Sequence, residues 1–461
     1  MQDLAEFSID YLKGKEVDYA EARLETVNSS GFMLNDSNPE ISGFDQSTGL
    51  GIRFLVKGNM GFAAINALTK EKIKKELDKS LRLTKKAAKI SEKVEFAYNR
   101  PINKKYTVKA KEEFEEEEKI KYLKELDKEL KAEHKYLSLS DTLTKKYYIN
   151  TDGTKIFQSM PRLNFLYFLT LIHNDNSIQR YLQFGATSGH EILKKWKLKS
   201  HIQREIEALR ENLTKGVKMP SGEFDVVVAP EVTGIATHEA IGHPYEADRI
   251  MGRESAQAGE SFVTESMLNT QLGSEIVTAV DDPTLEGSYG FFKYDDEGVE
   301  ARENVLMNKG KINDFLHNRE TAAQMKIKSN GSARASSYSV EPMVRMSNTY
   351  VKPGKQSEEE LIKGIKKGVY IKNFMEWNID DKRFQQKYVG DEAYLIENGQ
   401  ITKPVRSPTI EITTPKLWSS IDAVANNLQL FAGTCGKGEP MQGIPVLMGG
   451  PSMRLRKIKF N

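Results

Sequence analysis

The chain has 461 residues, 39% of them hydrophobic, which is enough for two or three packed domains with substantial cores. Its 67 basic residues nearly cancel its 65 acidic ones, so no net field argues for nucleic acid or an acidic membrane surface as a partner. One cysteine cannot form an internal disulfide, the first twenty residues lack the basic start and apolar run of a signal peptide, and no apolar stretch nears the roughly 20 residues of a membrane helix. The chain reads as cytoplasmic.

An opening helical segment leads into a strand-like run, YAEARLETVNSSGFMLND. Two apolar runs in TGLGIRFLVKGNMGFAAI then meet at Lys57-Gly58-Asn59, a tight-turn signal that predicts a hairpin. Apolar residues at helical spacing among lysines predict an amphipathic helix from Thr69 to about Lys89. A second charged helix is expected over Lys109 to Tyr136, with Phe114, Leu123, Leu126 and Leu130 on one face and its acidic run on a solvated face. KKYYINTDGTKIFQS predicts a hairpin around Asp152-Gly153, and RLNFLYFLTLI and SIQRYLQFGATSG continue as strands.

A further helix, His190 to about Leu213 with a stop at Gly216, marks the boundary between two halves. Beyond it the texture shifts to Gly, Pro, Asp and Asn among short strands, a composition that builds sites from loops held on a sheet. Asp281 and Asp282 before Pro283, and Asp295, Asp296 and Glu297 before Gly298, read as turn formers rather than paired catalytic carboxylates. The expected class is α+β: an N-terminal sheet-and-helix domain over residues 1–215, then a strand-rich domain over 216–461 that carries the motif TGIATHEAIGHP on its one metal-binding helix.

EFDVVVAPE predicts a buried strand ending at Pro230, with a helix starting near Glu231 or Val232. His238 and Glu239 then lie on that helix, and His243 follows five residues after His238. In a straight α-helix such residues point about 140° apart and would not converge on one ion. A π-type turn would widen the helix, or the helix could end between the histidines. Gly242 and Pro244 favour the second route, leaving His243 to hang from the turn and swing back.

A catalytic zinc commonly keeps three protein ligands and one open position, so a third ligand is needed. Glu246, His317 and Cys435 are candidates, and Cys435 has the strongest local argument. It lies between Gly433 and Gly436, with Gly438 beyond, where backbone can approach another element closely, and Lys437 beside it would favour a thiolate. Imidazole and thiolate together favour zinc over magnesium or calcium. In VRMSNTYV, residues 344–351, a predicted strand offers Arg345 and Asn348 to a peptide's carboxylate or backbone amides, or else to solvent.

HEAIGH after a strand, with Glu246 and Asp248 following, resembles the TldD/PmbA family, once described as modulators of DNA gyrase. So do DDPTLEGSYGFFKYDDEGV, FLHNRETA, VRMSNTY and GTCGKGEPMQGIPVLMGGPSMRLRKI, and the hairpin STGLGIRF…NMGFAA. The likeness spans nearly the whole chain and is most specific over residues 222–461. The H-E-x-x-x-H motif is similar to that of TldD-type subunits; PmbA/TldE-type subunits lack it. The resemblance implies a metallopeptidase of unfolded or short peptides, with zinc held by His238, His243 and Cys435, and Glu239 as the catalytic glutamate. It also implies a dimer, either with itself or with a PmbA/TldE-type relative. Such a zinc lowers the pKa of the water in its fourth position, and Glu239 takes the proton and passes it to the leaving amine. Two other classes compete: a cysteine hydrolase in which Cys435 attacks with His238 as base, and a non-catalytic regulatory partner of the gyrase-modulator type. A nucleophile would not require both histidines and Glu239, and the absence of a basic stripe disfavours a DNA-associated role.

Overall fold

The structure, a computed structural model, describes residues 1–88, 92–253 and 260–460. The first half is built on four long strands, Tyr19–Asn35, Asn38–Val56, His134–Asn150 and Lys155–His173, paired antiparallel with shorter neighbours Asn59–Ile65 and Asn176–Ala186. At 17 and 19 residues the four strands reach about 60 Å, from a rise of about 3.3 Å per residue. The Lys57-Gly58 turn has positive φ at both residues, 51° and 76°, which matches the twist of a two-residue hairpin. Gly153, at φ 97°, closes the second predicted hairpin.

Helices cover this sheet in two groups. Gln2–Lys13 and Lys70–Ala87 set Ile9, Leu12, Ile73 and Leu77 against Ala22, Ile52 and Phe54. The second of these starts at the Thr69 cap, and its expected end at Lys89 lies outside the described residues. Glu116–Glu129 and Leu198–Lys215 set Leu123, Leu126, Ile202 and Leu209 against Leu139, Leu163 and Phe165.

The Lys109–Tyr136 helix is thus shorter than its periodicity predicts. A capping box between Glu115 and Glu118 starts it late, Leu130 is already extended, and His134 belongs to a strand paired with Thr170. Tertiary pairing overrides the helical pattern there. The His190–Leu213 helix is likewise interrupted: Lys197 adopts φ 48° between Leu193–Trp196 and Leu198–Lys215, and Gly216 ends the last piece.

The class is α+β. Among the described residues one 13-stranded sheet runs from the N-terminal hairpins into the second half, where Ala432 pairs with Gln183 across the junction. A 7-stranded sheet holds Gly222–Val228 between Lys367–Ile371 and Met453–Phe460. Between these sheets lies the largest core, which includes Val226, Ile235, Ala240, Met346, Trp418 and Ile444. The aspartates read as turn formers are buried and bonded to backbone: Asp282 accepts from Thr284 N, and Asp295 from Glu297 N and Val299 N. Among the described residues no helix is long and apolar enough to cross a membrane.

Candidate metal centre

The strand Gly222–Val228 hands over at Ala229 to a helix that begins with Pro230 in its first turn, where the missing N–H costs nothing. Helix Pro230–Thr237 lies flat on strand Gln442–Gly450 because Gly234 has no side chain; a Cβ there would sit 2.9 Å from Gly449 backbone. The next five residues, His238–Gly242, form a π turn closed by His243 N–H donating to the His238 carbonyl. A short 3-10 turn, His243–Tyr245, follows.

The predicted helix end between the histidines is therefore corrected. His243 keeps helical angles, φ −62° and ψ −45°, even though Pro244 follows, and Gly242 is helical as well. Gly242 is there for room rather than termination: a Cβ on it would stand 1.9 Å from Met346 Sδ. The extra residue of the π turn brings positions five apart onto one face. The His238 and His243 rings lie 4.8 Å apart, nearly perpendicular at 81°.

Cys435 joins them from strand Gln429–Lys437, where it faces Ile444 on the neighbouring strand. The glycine-flanked stretch around it is a regular strand. Its Sγ lies 3.5 Å from His243 Nε2, and one ligand atom from each of His238, His243 and Cys435 lies within 4.8 Å of the others. All three are buried, at 5%, 3% and 5% exposure. Lys437 does not favour the thiolate as its sequence position suggests; its ammonium goes to Asp248 at 2.7 Å and Glu246 at 3.2 Å. Burial pushes the Cys435 thiol up, yet His243 and Arg345 outweigh it and bring the thiol down to about 7. Arg345 acts from behind, donating to the carbonyls of Cys435 and Gln442.

Around these groups stands a ring of buried charge. Glu246 Oε2 accepts from His243 Nδ1 at 3.0 Å and from Arg249 Nε at 2.8 Å, which directs His243 Nε2 at Cys435. Burial raises the Glu246 carboxyl, but Lys437 and His243 hold it well below the usual carboxylate range. Glu239 is buried, and its Oε2 accepts from Arg383 Nη1 at 2.6 Å. Burial raises that carboxyl too, and His243, Arg383 and His238 together bring it below its ordinary value.

Of the other residues singled out from the sequence, His317 sits apart, its Nδ1 3.1 Å from Thr321 Oγ1 and its pKa drawn down to about 4 by burial. Arg345 and Asn348 are both fully buried, and the stretch 344–351 is not one strand: Met343–Val344 and Asn348–Val351 flank an irregular step at Arg345. Asn348 ties Asp282 O to Gly290 N and touches none of the three donors. Arg383 gave no sequence signal, since a lone arginine at φ 63° in a hairpin turn 144 residues from Glu239 has no local pattern.

The donor set fits zinc. His238 Nδ1 is buried with no hydrogen-bond partner, an orphan that a metal would satisfy. The 3.5 Å between Sγ and His243 Nε2 is close to the roughly 3.6 Å that tetrahedral Zn–S and Zn–N bonds of about 2.3 and 2.0–2.1 Å imply.

Family models for PmbA/TldA metallopeptidase domain 1, central domain and C-terminal domain match residues 20–89, 109–209 and 221–461. The chain belongs to the TldD/PmbA metallopeptidase family. A metalloprotease of Methanocaldococcus jannaschii is 32% identical over 450 residues, covering 95% of this chain and 96% of its own. A zinc metalloprotease TldD homolog of Saccharolobus solfataricus is 27% identical over 463 residues, covering 97% and 98%. Among solved structures, a Thermotoga maritima protein described as a modulator of a DNA gyrase superposes with a TM-score of 0.78 at 18% identity, covering 100% of both chains. TldE from Thermococcus kodakarensis gives 0.75 at 16%, covering 100% and 99%. At that identity the two structures speak for the shared TldD/PmbA fold.

Proposed function

We propose that the chain is a zinc peptidase acting on short or unfolded peptides, with His238, His243 and Cys435 holding the metal and Glu239 as general base. The observation that carries this reading is the convergence of two imidazoles and one thiol, all buried, with donor atoms within 4.8 Å. All four residues lie in the proposed catalytic domain, 216–461, beyond the proposed N-terminal domain, 1–215. When bound, zinc polarises a scissile carbonyl and acidifies water. Glu239 takes a proton from the attacking water and returns it to the leaving amine. Its lowered pKa keeps it ionised and ready to accept, and Arg383 fixes one of its oxygens. Glu246 fixes the His243 tautomer by accepting from Nδ1, so that Nε2 presents its lone pair on the side of Cys435.

One observation favours a second reading. Cys435 Sγ, His243 and Glu246 line up as a thiol, an imidazole and a carboxylate at 3.5 and 3.0 Å, the order of a cysteine hydrolase, with His243 rather than His238 as the base. That reading leaves His238 and Glu239 without a task. Metal analysis of the purified parent and of Cys435→Ser separates the two. Stoichiometric zinc lost in the variant supports the peptidase; a metal-free, active protein killed by alkylation overturns it. We further propose a dimer, with itself or with a PmbA/TldE-type subunit, a reading supported by the likeness to TldE. Light scattering on the eluting protein tests this, and a fully active monomer would refute it.

A further inference from the structure

A cavity of about 250 Å³ lies between the N-terminal sheet and the second half. Its floor is the strands Tyr19–Asn35, His134–Asn150 and Lys155–His173, contributing Glu25, Thr144, Lys146 and Arg162; its roof is residues 289–296 with Arg334 and Pro445. It is distinct from the metal centre. None of His238, Glu239, His243, Glu246 and Cys435 lines it.

Two guanidiniums in this cavity have no carboxylate partner among the described residues. Arg162 donates only to the carbonyls of Tyr289 and Phe291, and Arg334 only to those of Met346 and Pro445. Each guanidinium carries five N–H groups, so each retains donors with no protein acceptor. Arg334 is 6% exposed, and its burial, with Arg162 and Arg345 nearby, lowers its pKa to about 9, although Asp296 and Asp281 act the other way. Of the other ionisable groups in the lining, Lys146 bridges Glu25 at 3.2 Å and Asp296 at 2.9 Å, and Asp295, whose carboxyl burial and Glu297 push well above the usual carboxylate range, accepts from three backbone N–H groups.

We propose that this cavity binds the α-carboxylate of an amino acid or short peptide, held between Arg162 and Arg334. A planar carboxylate matches the fork of a guanidinium, and such charge-assisted bonds are about twice as strong as neutral ones. Glu25 and Asp296, two carboxylates against the single Lys146 ammonium, oppose a dianion such as phosphate, whereas a zwitterion sets its amino end toward them. The volume, just below the roughly 300 Å³ of the smaller ligand pockets, suits a ligand of a few residues.

The test is calorimetric titration of the full chain with alanyl-alanine, alanyl-alanine amide and inorganic phosphate. It is run on the parent, on Arg162→Gln and Arg162→Lys, and on Cys435→Ser, with thermal melting to check that each variant is folded. The dipeptide should bind the parent, and lose roughly ten-fold or more on amidation or in Arg162→Gln. Arg162→Lys should fall between, and Cys435→Ser should bind as the parent does. Four results would overturn the assignment: no binding of the dipeptide, equal binding of acid and amide, phosphate binding as tightly as dipeptide, or loss in Cys435→Ser with retention in Arg162→Gln. The last would place the carboxylate at the metal centre.

Discussion

Glu246→Gln tests whether the charge beneath His243 governs metal binding. In the parent, His243 Nδ1, Arg249 Nε and Lys437 Nζ all reach the same oxygen, Oε2, at 3.0, 2.8 and 3.2 Å, while Oε1 is buried without a partner. A glutamine can turn its carbonyl toward the three donors and its NH₂ toward the orphan side, so shape and hydrogen bonds survive and only the charge is lost. Losing an outer partner of a metal-ligating histidine typically costs 10- to 100-fold in affinity, and retention of the bond sets the expectation near 10-fold. Glu246→Ala removes bond and charge together. It leaves Lys437 and Arg249 short of a buried anion, at a cost of about 3–5 kcal/mol in stability, with zinc affinity at the 100-fold end. Zinc affinity is read by competition with a chromophoric chelator, stability by urea unfolding of the same samples. If the glutamine variant holds zinc as tightly as the parent, the orienting role of Glu246 is wrong.

Glu239→Gln should keep zinc and peptide binding while hydrolysis falls by at least about 10²-fold, whereas His243→Ala should lose metal and activity together. Near-parent turnover in the first, or full zinc by mass spectrometry in the second, would undo the site assignment. Because Arg383 lowers the Glu239 carboxyl, Arg383→Gln should raise it and move the acid limb of the kcat/KM profile to higher pH; an unmoved limb would mean that the pair has no part in the reaction. Asp391 is buried with neither oxygen partnered, and its pKa rises from 3.8 to about 7. Its neutral form is thus favoured in the folded state, so folding loses stability as pH climbs from about 4 to about 7, by up to about 4 kcal/mol. Asp391→Asn should therefore be more stable than the parent at pH 8 and nearly equal at pH 4 in urea melts, and equal stability at pH 8 would refute this.

Local chemistry in the chain was sufficient for the hairpins at Lys57-Gly58 and Asp152-Gly153, for the helix after Pro230, and for the nomination of His238, His243 and Cys435. Turn residues, caps and side-chain chemistry act over a few positions and are visible in order along the chain. What the local pattern got wrong was decided by contacts from afar. Gly242 and Pro244 look like a helix stop, but Met346 occupies the space above Gly242 and the chain continues through a π turn that aims both histidines the same way. Lys437 stands two residues from Cys435 in sequence yet serves Glu246 and Asp248, because alternation along a strand fixes faces and not partners. Arg383 reaches Glu239, and Arg162 reaches the loop at 289–291, only once sheets have brought distant segments together. Residue chemistry along the chain narrowed the candidate metal donors to a few side chains. Tertiary structure decided where those atoms point, since the direction of a buried side chain is set by long-range packing and charge, which leave no periodic trace in the chain.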